Sequence, residues 1–191
     1  MEQRDTLELY RRTGAYLEGH FRLSSGLHSP GYLQSALVLQ HPADAENLGS
    51  AIAARVKSWT ATVVLSPALG GLIIGHEVAR GLGVRAIFAE RAGGAELTLR
   101  RGFALEPADR VLVVEDVLTT GKSTRETIAV ARAAGASVVG VAAIVDRSGG
   151  AIDFGVPSVT LVALTVPAFE PDACPLCAKG VPVEKPGSRS T

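Results

Sequence analysis

The sequence predicts an α/β fold, with a mainly parallel central sheet flanked by helices and a small N-terminal hairpin unit. Three observations carry this. From residue 62 onward, short apolar runs alternate with helical patterns, the rhythm of βαβ units. The runs are apolar end to end, as strands covered on both faces are. Glycine is abundant, at 21 of 191 residues, which supplies many tight loops.

Each element follows in order. Leu7, Leu9 and Tyr10 lie in a short charged helix over residues 5–13. Residues 20–32 read as strand, turn and strand, with Ser, Gly and Pro as the turn chemistry. Residues 42–59 are helical, since Leu48, Ile52 and Val56 recur four apart on one face. A strand over 62–65, a loop over 66–71 and a helix over 72–81 come next. Strands follow at 84–89 and 110–115, separated by a polar, glycine-containing stretch over 91–101. A helix over 122–134 leads to strands at 138–145 and 158–164. The tail, 182–191, is rich in Pro, Gly and Ser and is expected to be poorly ordered. The chain therefore divides into an N-terminal segment 1–41, a core 42–166 and an extension 167–191, forming one compact domain.

Composition narrows the function classes. Nineteen basic residues balance nineteen acidic ones, and aromatics make up 5%. No global electrostatic footprint for DNA or RNA exists, and base stacking has few platforms, so no nucleic-acid partner is expected. No apolar stretch approaches a membrane span, and the charged start, residues 1–5, is not followed by a signal-type core. A cytoplasmic protein without membrane contact is expected.

In open α/β sheets, ligands gather at the carboxyl ends of strands. Four loops sit there: 66–71, 90–102, 115–121 and 146–150. The third is the most informative. Val111-Leu112-Val113-Val114 ends on Glu115-Asp116, and Val117-Leu118-Thr119-Thr120-Gly121-Lys122-Ser123-Thr124 follows. This is a buried strand, a sharp loop and a helix start, which binds phosphate through open N–H groups and the positive end of the helix dipole. Gly121-Lys122-Ser123 mimics the end of a Walker A motif, but that motif needs a glycine at position 116, where Asp116 would repel a triphosphate. Residues 119–123 suit one terminal phosphate; the plain reading is a βα turn whose hydroxyls cap the helix. Glu115 and Asp116 point to opposite faces of the strand. Such carboxylates suit vicinal hydroxyls and a developing positive charge, and the plain reading is solvated loop acids.

These residues resemble the phosphoribosyl-pyrophosphate signature of the type I phosphoribosyltransferases, and within that family the orotate-using members. Phe21-Arg22-Leu23-Ser24-Ser25-Gly26-Leu27-His28-Ser29-Pro30 resembles the family's N-terminal hood, whose Ser-Gly turn lies over the base. Ser66-Pro67-Ala68-Leu69-Gly70-Gly71 resembles its pyrophosphate loop, and Asp146-Arg147 its base-binding arginine position. The likeness covers most of 14–165 and the ending Cys174-Pro175-Leu176-Cys177.

The resemblance implies an orotate-specific, Mg²⁺-dependent transfer of ribose 5-phosphate from phosphoribosyl pyrophosphate, giving orotidine 5-phosphate in pyrimidine synthesis. Glu115 and Asp116 would hold the ribose hydroxyls, with Asp116 also catalytic. Thr119, Thr120, Gly121, Lys122 and Ser123 would cradle the 5-phosphate, Val117 and Leu118 would also line the phosphoribosyl-pyrophosphate site, and Arg91 and Gly70 would stand at the pyrophosphate. Thr119, Arg147, Ser25 and Gly26 would meet orotate. Mg²⁺ would be held mainly by substrate oxygens, with no dedicated protein metal ligands. A mobile loop over 91–101, hinged at Gly93-Gly94, would reach the neighbouring subunit's site, so a homodimer with shared sites is implied.

The chain departs from the family at its cations. It has no lysine between Lys57 and Lys122, and Gly70 stands where a lysine is often found. Arg91 matches the arginine that opens the family's lid. Arg100 or Arg101 would take the lysine's catalytic place, since guanidinium pairs bidentately with phosphate. The plain alternative is that both flank a surface hairpin. Arg147, in its plain reading, is a surface arginine paired with Asp146.

Cys174-x-x-Cys177 is half of a zinc site, which two chains could complete with four thiolates; a turn with buried or free thiols is the plain reading. A redox role is disfavoured because the pair does not open a helix after a strand. His20, His28, His41 and His76 show no ligand spacing, and only His28 is placed to touch substrate. Two other functions fit the same core: a purine phosphoribosyltransferase, and a regulator that senses phosphoribosyl pyrophosphate while binding nucleic acid. The second calls for an added DNA-binding domain or a basic face.

Overall fold

The computed structural model describes residues 1–23, 25–91, 93 and 96–186. Helix α1 (Gln3–Arg12) leads into an antiparallel hairpin of β1 (Tyr16–Arg22) and β2 (His28–Leu33). Helices α2 (Ser35–Leu39) and α3 (Pro42–Val56) follow, and a 3-10 turn, Lys57–Trp59, closes them. Next come β3 (Val63–Pro67), α4 (Gly71–Leu82), β4 (Arg85–Arg91), β5 (Leu97–Leu99), β6 (Arg110–Leu118), α5 (Lys122–Ala133), β7 (Ser137–Asp146) and β8 (Ser158–Ala163). A 3-10 turn, Pro171–Ala173, and a one-turn helix α6 (Pro175–Ala178) complete the order.

The main sheet runs β5-β4-β3-β6-β7-β8. All its pairings are parallel except β4 with β5. Side chains alternate across it, so the apolar runs feed two cores. Val64, Leu112 and Val114 face Leu48, Ile52, Ile74 and Val78 of α3 and α4. Val63, Leu65, Val111 and Val113 face Ile128 and Ala131 of α5. These strand residues have no exposed surface, as a doubly covered sheet requires. The strand order reverses between β3 and β6, which lie side by side while their successors run outward in opposite directions. The crevice at such a reversal is where α/β sheets place ligands.

Several expectations needed correction. The stretch 91–101 is not all loop. Leu97 and Leu99 alternate with Thr98, and this short period of two makes β5, which folds back on β4. Helix α3 ends at Val56 rather than Trp59, because the backbone tightens to 3-10 and then turns left-handed at Thr60. Helix α2 was not foreseen: five residues are too few to display a helical period, and it is held by burying Val38 and Leu39. Within the tail, Glu184 pairs with the hairpin. Arg22 donates its N–H to the Glu184 carbonyl, and Glu184 donates to His20. Residues 187–191 lie outside the described residues.

Candidate active site

Strand β6 delivers its two acids to opposite faces. Glu115, in phase with Val111 and Val113, turns toward α5, where Ser123 Oγ donates to Glu115 Oε2 at 2.7 Å. Asp116, in phase with Leu112 and Val114, turns the other way and accepts the Val117 N–H at 2.8 Å. The Ser35 hydroxyl at the start of α2 bonds to the same carboxylate. Burial and the adjacent Asp116 push the Glu115 carboxyl well above its usual range. Burial also raises Asp116, against the opposing pull of the Val117 N–H and Ser35. Neither acid has a cationic partner among the described residues.

That arrangement has a thermodynamic consequence. The folded chain holds a proton on Glu115 over a pH range where the unfolded chain does not, so stability falls as pH rises from about 4.5 through the folded pKa. Glu115→Gln removes this cost while Ser123 keeps an acceptor. We expect Glu115→Gln to melt about 2–6 °C higher than the parent at pH 7–8, with the gap closing near pH 4.5. Calorimetry across that range checks it, and a lower Tm at neutral pH contradicts it.

The phosphate loop follows the acids directly. Gly121 takes the left-handed conformation (φ +72°) at the N-cap of α5, and a Cβ there would lie 2.9 Å from the Phe154 ring. The N-cap residue of α5 is Gly121, which has no side chain to cap the helix. Thr119, Thr120 and Lys122 are exposed at its mouth, and Thr120 Oγ1 accepts the Lys122 N–H at 3.4 Å. The open first turn of a twelve-residue helix thus faces the strand ends. Leu118 is buried, and its carbonyl accepts the Arg147 N–H at 2.8 Å, which ties this loop to the one after β7.

Arg147 is half-buried. Its Nη2 donates to Ser29 Oγ of β2 at 3.4 Å, and its Nε has no partner among the described residues. Burial pulls its pKa down, while Tyr32 and Tyr16 nearby favour the charged form. The plain reading paired it with Asp146, and the structure overturns that. Asp146 turns back on its own loop, accepting from the N–H groups of Ser148 and Gly150 and from the Ser148 hydroxyl. The buried polar atoms without partners among the described residues are Ser66 Oγ, Thr124 Oγ1 and Arg147 Nε. They stand at the end of β3, the start of α5 and just after β7. Unpaired buried polar atoms are costly, and all three mark one end of one sheet.

Gly70 sits against Asp116: a Cβ on it would lie 2.8 Å from Asp116 Oδ1. A side chain there would have to displace the carboxylate. The preceding Ala68–Leu69 peptide is cis. Arg91, at the end of β4, pairs with Glu126 of α5 at 2.7 Å. Arg101 pairs with Glu90 through two bonds of 2.8 and 3.0 Å and lies over the Phe88 ring, whereas Arg100 is 4.0 Å from Glu90 and more than half exposed. Gly93 has φ +60°; its hinge partner Gly94 lies outside the described residues. Ser25 and Gly26 form the hairpin turn, with Gly26 at φ +89°. The hood residue that meets Arg147 is Ser29.

Sequence reasoning missed four residues here. Ser29 and Tyr32 are on the hood strand facing Arg147, and Ser35 and Tyr10 back Asp116, with Tyr10 Oη 2.9 Å from Ser35 Oγ. Burial raises the Tyr10 hydroxyl strongly, so it stays protonated. A lone serine at a helix start gives no signal, and neither does Tyr32, which stands an odd number of residues from Ser29 on the same strand. The histidines need correction too. His20 and His28 show no ligand spacing along the chain, yet the hairpin sets His20 Nε2 2.9 Å from His28 Nδ1, beside Cys174 and Cys177. Spacing rules read along the chain, whereas a hairpin joins residues across it.

Comparison with known proteins bears on this geometry. The family model described as "Phosphoribosyl transferase domain" matches residues 35–154, from Ser35 through the acids, the phosphate loop and Arg147. An orotate phosphoribosyltransferase of Thermus thermophilus is 54% identical over 181 residues, covering 95% of this chain and 99% of that protein. One from Pelotomaculum thermopropionicum is 51% identical over 189 residues, covering 99% of each. The crystal structure of orotate phosphoribosyltransferase from Aeropyrum pernix superposes with a TM-score of 0.69 at 28% identity, over 82% of this chain and 92% of that one. With a matching domain over most of the core and relatives half identical along nearly the whole length, this chain belongs to the phosphoribosyltransferase family, on its orotate phosphoribosyltransferase branch.

Proposed function

We propose that the chain transfers ribose 5-phosphate from phosphoribosyl pyrophosphate to orotate, releasing pyrophosphate and forming orotidine 5-phosphate. One observation supports the choice of base above others: Arg147, a half-buried guanidinium with a single long hydrogen bond, faces the crevice beside the acids and the α5 start. Orotate brings a carboxylate to satisfy it, whereas adenine and hypoxanthine bring none.

The residues divide the chemistry. Residues 119–123 hold the 5-phosphate at the α5 N-terminus. Glu115 and Asp116 accept the ribose hydroxyls, and Asp116 favours the positive charge that develops on the ring as pyrophosphate departs. No protein cation stands beside the two acids among the described residues, which suits Mg²⁺ held mainly by pyrophosphate and ribose oxygens and by water. Mg²⁺, when bound with the substrate, supplies charge neutralisation of the leaving pyrophosphate. The reading includes a homodimer in which the 91–101 loop serves the partner's site. In support, Arg100 and Arg101 pair with Glu90, and neither pairs with Glu115 or Asp116 of its own chain among the described residues. Both are more than half exposed; Arg100, 4.0 Å from Glu90, is the freer candidate for that role, and Arg101 is engaged by Glu90 through two short bonds.

With Mg²⁺ and phosphoribosyl pyrophosphate, purified protein is expected to consume orotate, followed by ultraviolet absorbance, and to leave adenine and hypoxanthine untouched. Turnover of a purine base in place of orotate rejects the assignment. Donor binding without turnover of any base favours the regulator.

A further inference from the structure

Four side chains with metal-ligand chemistry converge at a place the transfer reaction does not use. His20 on β1, His28 on β2, Cys174 before α6 and Cys177 within it each offer one ligand atom, and these atoms all lie within 4.8 Å of one another. His20 Nε2 is 2.9 Å from His28 Nδ1, 3.5 Å from Cys174 Sγ and 3.7 Å from Cys177 Sγ. Cys177 Sγ is 3.3 Å from His28 Nδ1. A tetrahedron with Zn–N near 2.0 Å and Zn–S near 2.3 Å has edges of about 3.3–3.8 Å, so the four atoms already stand close to its corners. His20 is also set in the right tautomer. Its Nδ1–H donates to the Val181 carbonyl at 2.7 Å, which leaves the Nε2 lone pair directed at the other three groups. His20, His28 and Cys174 are buried, and exposed Cys177 leaves an entry path.

We propose that the chain binds one Zn²⁺ per subunit in a closed Cys₂His₂ site that staples the C-terminal extension to the hood. Two thiolates and two neutral imidazoles select a borderline-soft tetrahedral cation over Mg²⁺, and they make the site neutral overall, as burial requires. Four protein ligands leave no open position, so the role is structural. The extension needs such a staple. Most of residues 167–186 are exposed, Cys174 is their buried residue, and Val181 and Val183 are 39% and 47% exposed. Backbone pairing of His28 with Phe169 and of Phe21 with Glu184 flanks the four ligands, beside side-chain bonds from His20 to the Val181 carbonyl and from Ser29 to the Pro167 carbonyl. Small apolar-poor segments of this kind are ordered by metals or disulfides. The staple also reaches the base site: Ser29, which accepts from Arg147, adjoins His28 and donates to the Pro167 carbonyl. The metal thereby holds the strand on which Arg147 rests. The site stands on its own ligands, whichever base the chain uses.

The test uses the full-length chain, expressed with added zinc and purified without chelators or a histidine tag. Elemental analysis is expected to find about one zinc per chain, released by an organomercurial and captured by a chromogenic chelator. The Co²⁺-loaded protein should show tetrahedral ligand-field bands and a thiolate charge-transfer band. Stripping the metal should lower Tm by about 5–10 °C, reversed by Zn²⁺ and not by Mg²⁺. Cys177→Ser, at the exposed corner, should retain zinc at least tenfold more weakly while keeping the core folded. Absence of stoichiometric zinc in the parent protein overturns the proposal. So does a Cys174–Cys177 disulfide by mass spectrometry, or thiols that react at once with His28 simply bonded to His20.

Discussion

Arg147→Ala is expected to lower kcat/KM for orotate by about 10²–10³-fold while changing phosphoribosyl-pyrophosphate affinity little. Removing one partner of a desolvated, hydrogen-bonded charge pair costs about 2–5 kcal/mol, and each 1.4 kcal/mol is tenfold. The guanidinium is half-buried and holds one 3.4 Å bond to Ser29, so little within the chain repays its desolvation. The same fact predicts that Arg147→Ala melts at or above the parent temperature, because an incompletely paired buried cation is removed. Lysine should rescue poorly, since it lacks the planar fork that meets a carboxylate bidentately. Steady-state kinetics with orotate, calorimetric binding of the donor and a melting curve separate the outcomes. Equal losses for both substrates together with a lower Tm would assign Arg147 a structural role instead.

Much of this site was legible because it is local. Strand, acids, loop and helix start fall within fourteen consecutive residues, and alternation along β6 puts Glu115 and Asp116 on opposite faces, though only the structure shows that Glu115 is the one turned toward α5. Sheet order then explains why loops distant in sequence meet: β3 and β6 are neighbours at the reversal. What could not be read is what crosses the chain. Ser29 reaches Arg147 over 118 residues, and His20 reaches Cys174 over 154. No period or spacing encodes such contacts. Helix α2 failed for a different reason, being shorter than the period that would reveal it, and β5 was hidden because three alternating residues sit among charges and glycines.

Asp116→Asn should cost about 10²–10³-fold in kcat, with a smaller change in donor affinity. The substitution preserves shape, and the Val117 N–H at 2.8 Å still finds an oxygen, so ground-state binding of the ribose is largely retained. What disappears is a negative charge in a partly desolvated crevice, and it matters most when the ring becomes cationic. The effect should fade along the chain of bonds behind the acid. A carboxylate only accepts, so Ser35 donates to Asp116 and Tyr10 donates to Ser35 across 2.9 Å. Ser35→Ala removes one bond that orients the acid, which is worth about tenfold, and Tyr10→Phe, one bond further back, should cost less. Both positioning variants should recover part of the loss at higher pH, because without these donors Asp116 ionises less readily. Asp116→Asn has no group to ionise and should stay flat. Single-turnover rates across pH for the three variants distinguish these profiles. If Ser35→Ala matched Asp116→Asn in size and in pH response, the serine would have to contact substrate itself rather than act through the acid.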